Sequence, residues 1–426
     1  MRKNKQHMKI FIALGFLMAI NSLPLAAFSN HSTLHTRNPA LLSTSRREFF
    51  ELSFLASPGV TNSYFSPSNI LKQEMIIDLS QIYSASGAAG FRAGGSLNSG
   101  SHTSLHIGPI GLAGYWGTQN LARVTVPKEM LGILANGNEI GQTYEGNGDA
   151  FINSFVEYGG YASYRWQTYT FGLKAAGYLP LAYTRNGRST ITFSTAESGA
   201  IDVEAGMNAE LYSVVDLENP DSITSMDATS IMSLLTEHGG IKLDFGLIHN
   251  PERNRPEWGL ALINIPVIGA LPNLAWQFSA TTSAGTAGLL TGLSGGTEEA
   301  FEMSEPELEF GPLAEATERI YMPFRIGGFY RFRNFPVVDI IPHAEVVIAE
   351  PFRFNAGVSV EGTRFPWSLF AAGLAYEEIA WQANLDMRFD MRFAELMLRF
   401  STNSPELLGV FSGRGARFQI ETSYGF

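Results

Sequence analysis

The last eleven residues, Ala416-Arg417-Phe418-Gln419-Ile420-Glu421-Thr422-Ser423-Tyr424-Gly425-Phe426, alternate strictly in polarity and end on an aromatic. A β-strand has a side-chain period of two, so Phe418, Ile420, Tyr424 and Phe426 share one face with the small Ala416 and Thr422. Arg417, Gln419, Glu421 and Ser423 occupy the other. A chain ending this way suits either an edge strand of a soluble sheet or the closing strand of a barrel with one face in lipid. Periodicity alone does not separate the two, and the rest of the chain decides.

At the opposite end, Arg2, Lys3, Lys5 and Lys9 form a basic segment, Ile10 to Ile20 an apolar one, and Ala27-Phe28-Ser29 offers small residues for cleavage. Residues 1–29 are expected to be a secretory signal peptide. As a helix, the eleven apolar residues span only about 16 Å, roughly half a hydrocarbon core. The chain has no cysteine. That excludes a lipid on an N-terminal cysteine, disulfides and thiolate chemistry.

Removing the signal takes four cations with it and leaves 25 basic against 40 acidic residues, a net charge near −15. This balance argues against nucleic acid as a partner. Only 16% of residues are charged, against about 25% in soluble domains. The 43 glycines and 12% aromatics fit the turns and interfacial girdles of a barrel.

Trp258 to Trp276 is long enough to span a membrane as a helix and carries no charge, but Pro266 and Pro272 interrupt it. Each interior proline costs a helix about 3 kcal/mol. Two strands, roughly 257–263 and 273–282, joined by a proline-bounded turn, are expected instead. A closed barrel is then the remaining way to satisfy backbone groups in lipid.

Alternation recurs through the chain. Ile201 to Leu211 has one wholly apolar face, opposed by Asp202, Glu204, Asn208 and Glu210; residues 324–333, 352–361 and 379–390 show the same pattern. Further strands are expected at 158–166, 169–179, 241–249, 337–348, 367–376 and 396–400, with weaker ones before 130. Short connectors, such as Arg333–Pro336 and Tyr376–Ile379, alternate with long ones, 213–237 and 283–322. The pattern predicts an all-β, transmembrane antiparallel β-barrel of about fourteen strands with a few short helices in connectors. Those helices are expected at 127–135, behind Pro127, and at 226–238, capped by Asp227.

Shortly after the expected cleavage point, Asn38-Pro39-Ala40-Leu41-Leu42 resembles the Asn-Pro-Ala signature at the start of FadL-type long-chain fatty-acid transporters. Lys174–Tyr183 (KAAGYLPLAY), Ala261–Pro266 (ALINIP) and Leu374–Phe400, with its Tyr376-Glu377-Glu378 turn, resemble a spirochaetal branch of FadL-like outer-membrane proteins. The resemblance implies residues 30–47 as a hatch inside a barrel formed by 48–426. It also implies uptake or diffusion of hydrophobic small molecules across the cell outer membrane. Expected partners are outer-membrane lipid, the barrel assembly machinery, which would read Phe418, Ile420, Tyr424 and Phe426, and lipophilic small molecules. The family's ligand-contacting residues do not transfer to positions of this sequence.

The expected lumen-facing charges are mixed: Lys174, Lys242, Arg331, Arg353, Arg388 and Arg417 against Asp202, Glu204, Asp244, Glu361, Asp386 and Glu421. Ion pairs tying strands together suit this set better than a charge-selective pore. His102 and His106 share a strand face, as do His31 and His35, but further ligands are not near in sequence, so no metal or cofactor is expected. Without a Gly-x-Ser-x-Gly elbow beside His249 or His343, no enzyme is expected either. Residues 136–149 lack calcium-loop spacing. Nine acidic residues lie between Arg188 and Lys242 without a base, and eight glutamates between Thr297 and Glu318. They point to acidic outer loops, through which a non-transporting adhesin or structural barrel would act instead.

Overall fold

Alternating apolar and polar residues force a strand to bury one face and expose the other, and here the strands close on themselves to do so. The computed structural model describes residues 38–44, 49–62, 64, 79–86, 90–136, 140–197, 200–216, 228–250, 257–285, 302–303, 307–312, 318–333, 335, 337–348, 353–362, 368–377, 380–391, 394–404, 406–412 and 416–425. The expected signal peptide, Asp227, His31, His35 and the terminal Phe426 lie outside the described residues.

The strands are β1 (Phe50–Asn62), β2 (Phe91–Ile107), β3 (Ile110–Val126), β4 (Thr143–Trp166), β5 (Tyr169–Thr195) and β6 (Ile201–Ser213). They continue as β7 (Gly240–His249), β8 (Glu257–Ile268), β9 (Leu274–Gly285), β10 (Glu302–Met303), β11 (Glu307–Pro312) and β12 (Phe324–Arg331). The last six are β13 (Val338–Ile348), β14 (Arg353–Gly362), β15 (Ser368–Glu377), β16 (Ala380–Met391), β17 (Ala394–Ser404) and β18 (Arg417–Gly425). Among the described residues three α-helices accompany them: α1 (Leu79–Ala85), α2 (Lys128–Asn136) and α3 (Ala228–His238). Proline precedes α2 at position 127, as expected, whereas α1 carries no cap or period strong enough to be read from sequence.

All pairing is antiparallel. Following the hydrogen-bonded neighbours, β1 to β5 lead to β7, β8, β12 and on through β18, which pairs back onto β1. The closed ring therefore has fourteen strands. Closure leaves no strand edge among these fourteen to be satisfied by solvent.

β5 is too long for the ring. Its first half, Tyr169 to Tyr178, pairs with β7, and its second half, Tyr183 to Thr195, pairs with β6. β6 then pairs with β9, and β9 with β11 and β10, building a sheet beyond the ring. The two strands expected within Trp258–Trp276 exist, but they are not partners. β8 stays in the ring between β7 and β12, while β9 joins the extension.

The turns between Ile107 and Ile110 and between Trp166 and Tyr169 lie at one end, with the start of β1 and the end of β18. The long connections leave and re-enter the ring at the other, at Asn62 and Phe91, Val126 and Thr143, and Ile268 and Phe324. β15 ends and β16 begins at this same end, where Glu377 pairs with Ala380, so the expected alternation of short and long connectors does not hold there.

Outward positions are apolar and exposed: Leu105, Leu112, Phe171, Leu173, Phe245, Leu260, Val358, Leu385, Phe400, Phe418 and Ile420. Exposed Phe49, Tyr164, Trp166, Tyr330, Phe332 and Tyr424 belt the turn end, where His249 also sits between Tyr169 and Trp258. An apolar band edged by aromatics is the surface a hydrocarbon layer requires. No helix among the described residues is long and apolar enough to cross a membrane.

Candidate functional site in the barrel lumen

Asn38-Pro39-Ala40 begins a 3-10 turn (Pro39–Thr44) held inside the ring near the turn end. Asn38 Oδ1 accepts the Ala40 N–H at 3.0 Å, and the Asn38 carbonyl accepts the Leu41 N–H at 3.0 Å. Asparagine is suited to this because its side chain mimics a backbone turn, with proline fixing φ after it. Asn38 Nδ2 also donates to the Leu260 carbonyl of β8 at 3.1 Å, crossing 222 residues of sequence. Ala40, Leu41 and Ile248 of β7 then pack as a small buried cluster.

Two glycines make the seat. A Cβ at Gly172 of β5 would lie 2.2 Å from the Ala40 nitrogen, and one at Gly246 of β7 would lie 1.9 Å from Asn38 Oδ1. Of the expected hatch, 30–47, the described part is this turn. Beside it, Asn38, Gly259, Ala261, Ile263, Phe329 and Glu345 line a cavity of about 10 Å³, room for one water molecule.

Deeper toward the long-loop end, the inward face carries a closed charge network. Glu157 of β4 pairs with Lys174 of β5 at 3.7 Å and with Lys242 of β7; Lys174 also reaches Asp244 at 3.4 Å. Tyr115 and Gln119 of β3 donate to Glu157, and the Lys174 ammonium lies 4.0 Å from the Tyr115 ring centre. Asn264, at φ 59°, sits where β7 and β8 lose register. Its N–H donates to Asp244 Oδ1 (2.6 Å), its Oδ1 accepts from Lys242 (2.6 Å), and its Nδ2 donates to the Pro323 carbonyl (2.8 Å). Two cations and two carboxylates thus bind five strands together. Buried charges are tolerable only in such fully paired sets.

A second set lies at the turn end. Arg331 of β12 contacts Glu257 and Asp339, each at 3.5 Å, and Glu361, while Arg333 also pairs with Glu257. Farther round, Arg325 pairs with Glu345 at 3.3 Å and Arg388 with Glu395 at 2.6 Å. Arg399 grips Asp386 through two bonds of 2.6 and 2.7 Å. Glu421 is 3% exposed, and its Oε2 has no hydrogen-bond partner among the described residues. Arg353 and Arg417 are half-buried on inward positions; glycine at 59 leaves the room Arg417 fills.

Asp202 and Glu204 are corrections. Both are exposed on β6, outside the ring, because β5 hands its pairing from β7 to β6 above the lumen. Sequence reading also missed Glu157, Asn264 and Arg399. Extending the alternation of 158–166 by one residue places Glu157 opposite the outward Tyr158, a signal that was available. Asn264 carried none, since its role depends on a register shift. Phe418, Ile420 and Tyr424 are exposed on the outward face.

His102 and His106 do share an inward face of β2. Ser53 of β1 donates to Glu51 Oε1 at 2.9 Å and lies 3.4 Å from His102 Nε2. Ser53 is 0% and His102 1% exposed. A nucleophile needs an open face for its substrate, and this arrangement is a closed hydrogen-bond chain instead. Among the described residues no three His, Asp or Glu side chains are placed to hold a metal.

No family model and no curated protein matches the chain. Among solved structures, the P. putida toluene transporter TodX aligns at 10% identity and TM-score 0.43, covering 94% of this chain and 95% of that one. The Ralstonia pickettii toluene transporter TbuX aligns at 9% and 0.43, over 91% and 90%. A Pseudomonas aeruginosa FadL homologue aligns at 9% and 0.41, over 91% and 93%. At these scores the three alignments carry no weight for what this chain does.

Proposed function

We propose that the protein is a FadL-type channel of a Gram-negative type outer membrane that admits hydrophobic small molecules, with the Asn38–Thr44 turn as its inner hatch. The observation that carries this reading is the seat of that turn: a lumen position shaped by Gly172 and Gly246 and held by one side-chain bond to β8. Ion pairing in the lumen supports it, since Glu157, Asp244, Glu361 and Asp386 are each matched by a cation and leave little fixed charge there to select hydrated ions. On this reading the protein is not an enzyme. The outward Phe418, Ile420 and Tyr424 face outer-membrane lipid, and the terminal strand is what the assembly machinery reads.

The test is equilibrium binding of a lipophilic fluorescent probe to the folded protein, with folding verified by a mobility shift on boiling. Saturable binding that is lost on boiling supports the channel. Absence of saturable binding by shifted, folded protein refutes it. A second reading rests on the sheet beyond the ring, where Asp202 and Glu204 of β6 are exposed. Deleting 283–322 separates the two: an adhesin loses surface binding, whereas a channel keeps its probe site.

A further inference from the structure

Between β17 and β18, the 3-10 turn Leu408–Ser412 does not project from the barrel. It folds back over the outer wall: Thr402 Oγ1 donates to the Val410 carbonyl at 2.6 Å, and a Cβ at Gly409 would meet Ser404 Oγ at 2.1 Å. Thr402 and Ser404 alternate with the inward Ser401 and Asn403, in step with Phe400, which is exposed on the outer surface. Val410 is buried against the wall at 1% exposure. Leu408 and Phe411, three residues apart, project away from it at 79% and 77%, the two most exposed large apolar side chains described.

The height of this turn identifies what covers it. Tyr424 in the aromatic belt and Arg417 are seven residues apart on β18, and Arg417 pairs with Ser401, one position before Thr402. Eight strand residues cover about 26 Å at 3.3 Å each, or about 20 Å along the barrel axis at a tilt of about 40°. The apolar band of such barrels is about 25 Å tall. Below the turn runs the outward row Leu385, Phe400 and Phe418, each 42–46% exposed. The turn is continuous with that row and ends near the top of the band.

We infer that Leu408 and Phe411 insert into the acyl chains of the outer leaflet, making this turn a bilayer anchor that sets the depth of the barrel, not a solvent-facing loop. The inference rests on the membrane-barrel reading. Amphipathic elements that bury a few apolar side chains at the interface behave in this way.

The natural absence of cysteine makes the test direct. Single variants Phe411→Cys, Leu408→Cys, Phe400→Cys and Glu406→Cys are nitroxide-labelled and reconstituted in phosphatidylcholine vesicles, each verified by its boiling shift. Collision rates are then measured with oxygen, which partitions into lipid, and with a water-soluble nickel chelate. Positions 411 and 408 are expected to match the lipid-like ratio of 400, severalfold above that of 406. An aqueous ratio at 411 and 408 with a lipid ratio at 400 overturns the anchor and leaves the barrel standing. An aqueous ratio at 400 overturns the barrel reading itself. Spin–spin broadening at 411 between copies assigns the turn to a protein contact and also overturns the inference.

Discussion

Gly172→Ala is the most informative single change to the hatch. The added methyl would lie 2.2 Å from the Ala40 nitrogen and 2.3 Å from the Pro39 carbonyl carbon, both backbone atoms that cannot swing aside as a side chain would. The turn must leave its seat. Leaving costs the Asn38–Leu260 bond, worth about 1 kcal/mol, and the burial of Leu41, worth about 2 kcal/mol. The wild-type seat is therefore closed by about 3 kcal/mol, and relieving it multiplies the open population by about 100, at 1.36 kcal/mol per decade. A Leu41→Cys variant, the sole cysteine of the chain, reports this through its rate of labelling by a water-soluble maleimide. Because the reporter itself gives up most of the Leu41 burial, the Asn38–Leu260 bond, worth about 1 kcal/mol, is what remains to be relieved, and adding Gly172→Ala should accelerate labelling about 5-fold. The control Gly114→Ala, whose Cβ meets nothing within 4 Å, should leave the rate unchanged. Equal rates in all three proteins would refute a seated turn.

Other changes probe the walls. Glu157→Gln leaves Lys174 and Lys242 short of their shared carboxylate and should destabilise the folded barrel by about 3–5 kcal/mol, read as a lower denaturant midpoint for the boiling-sensitive form. Asp386→Asn should cost about 3 kcal/mol by stranding Arg399, and the double variant Asp386→Leu with Arg399→Met should recover most of it; failure to recover would mean the pair has a role beyond charge matching. At Asn264, alanine should be less stable than glycine by about 1 kcal/mol, since both lose the side-chain bonds but only alanine meets the left-handed backbone penalty. Equal stability would show that the backbone relaxes there.

Much of the ring was legible from alternation because its inward and outward environments differ so strongly in polarity. The terminal strand shows this: Phe418, Ile420 and Tyr424 are exposed outward, while Glu421 and Ser423 are buried inward. The same logic failed at Ile201–Leu211, whose pattern is as clean as any. A period of two reports that a strand has two faces, and not which neighbours it pairs with. The branching of β5 between β7 and β6 depends on lengths and bulges, such as the shift between Arg185 and Arg188. Partner identities in the lumen were likewise hidden. Lys174 was readable as inward, but its meeting with Glu157 and Asp244 comes from register across three strands. The Asn-Pro-Ala turn was legible as a motif, and its glycine seat was not, since Gly172 and Gly246 read as ordinary strand glycines.

The central claim is that hydrophobic solutes pass through this ring under control of the seated turn. The direct measurement is the initial rate at which a lipophilic probe enters proteoliposomes carrying wild-type protein, Gly172→Ala protein, or none. The account predicts faster entry with wild type than with empty vesicles, and faster still with Gly172→Ala. Entry at the empty-vesicle rate for both folded proteins would contradict it.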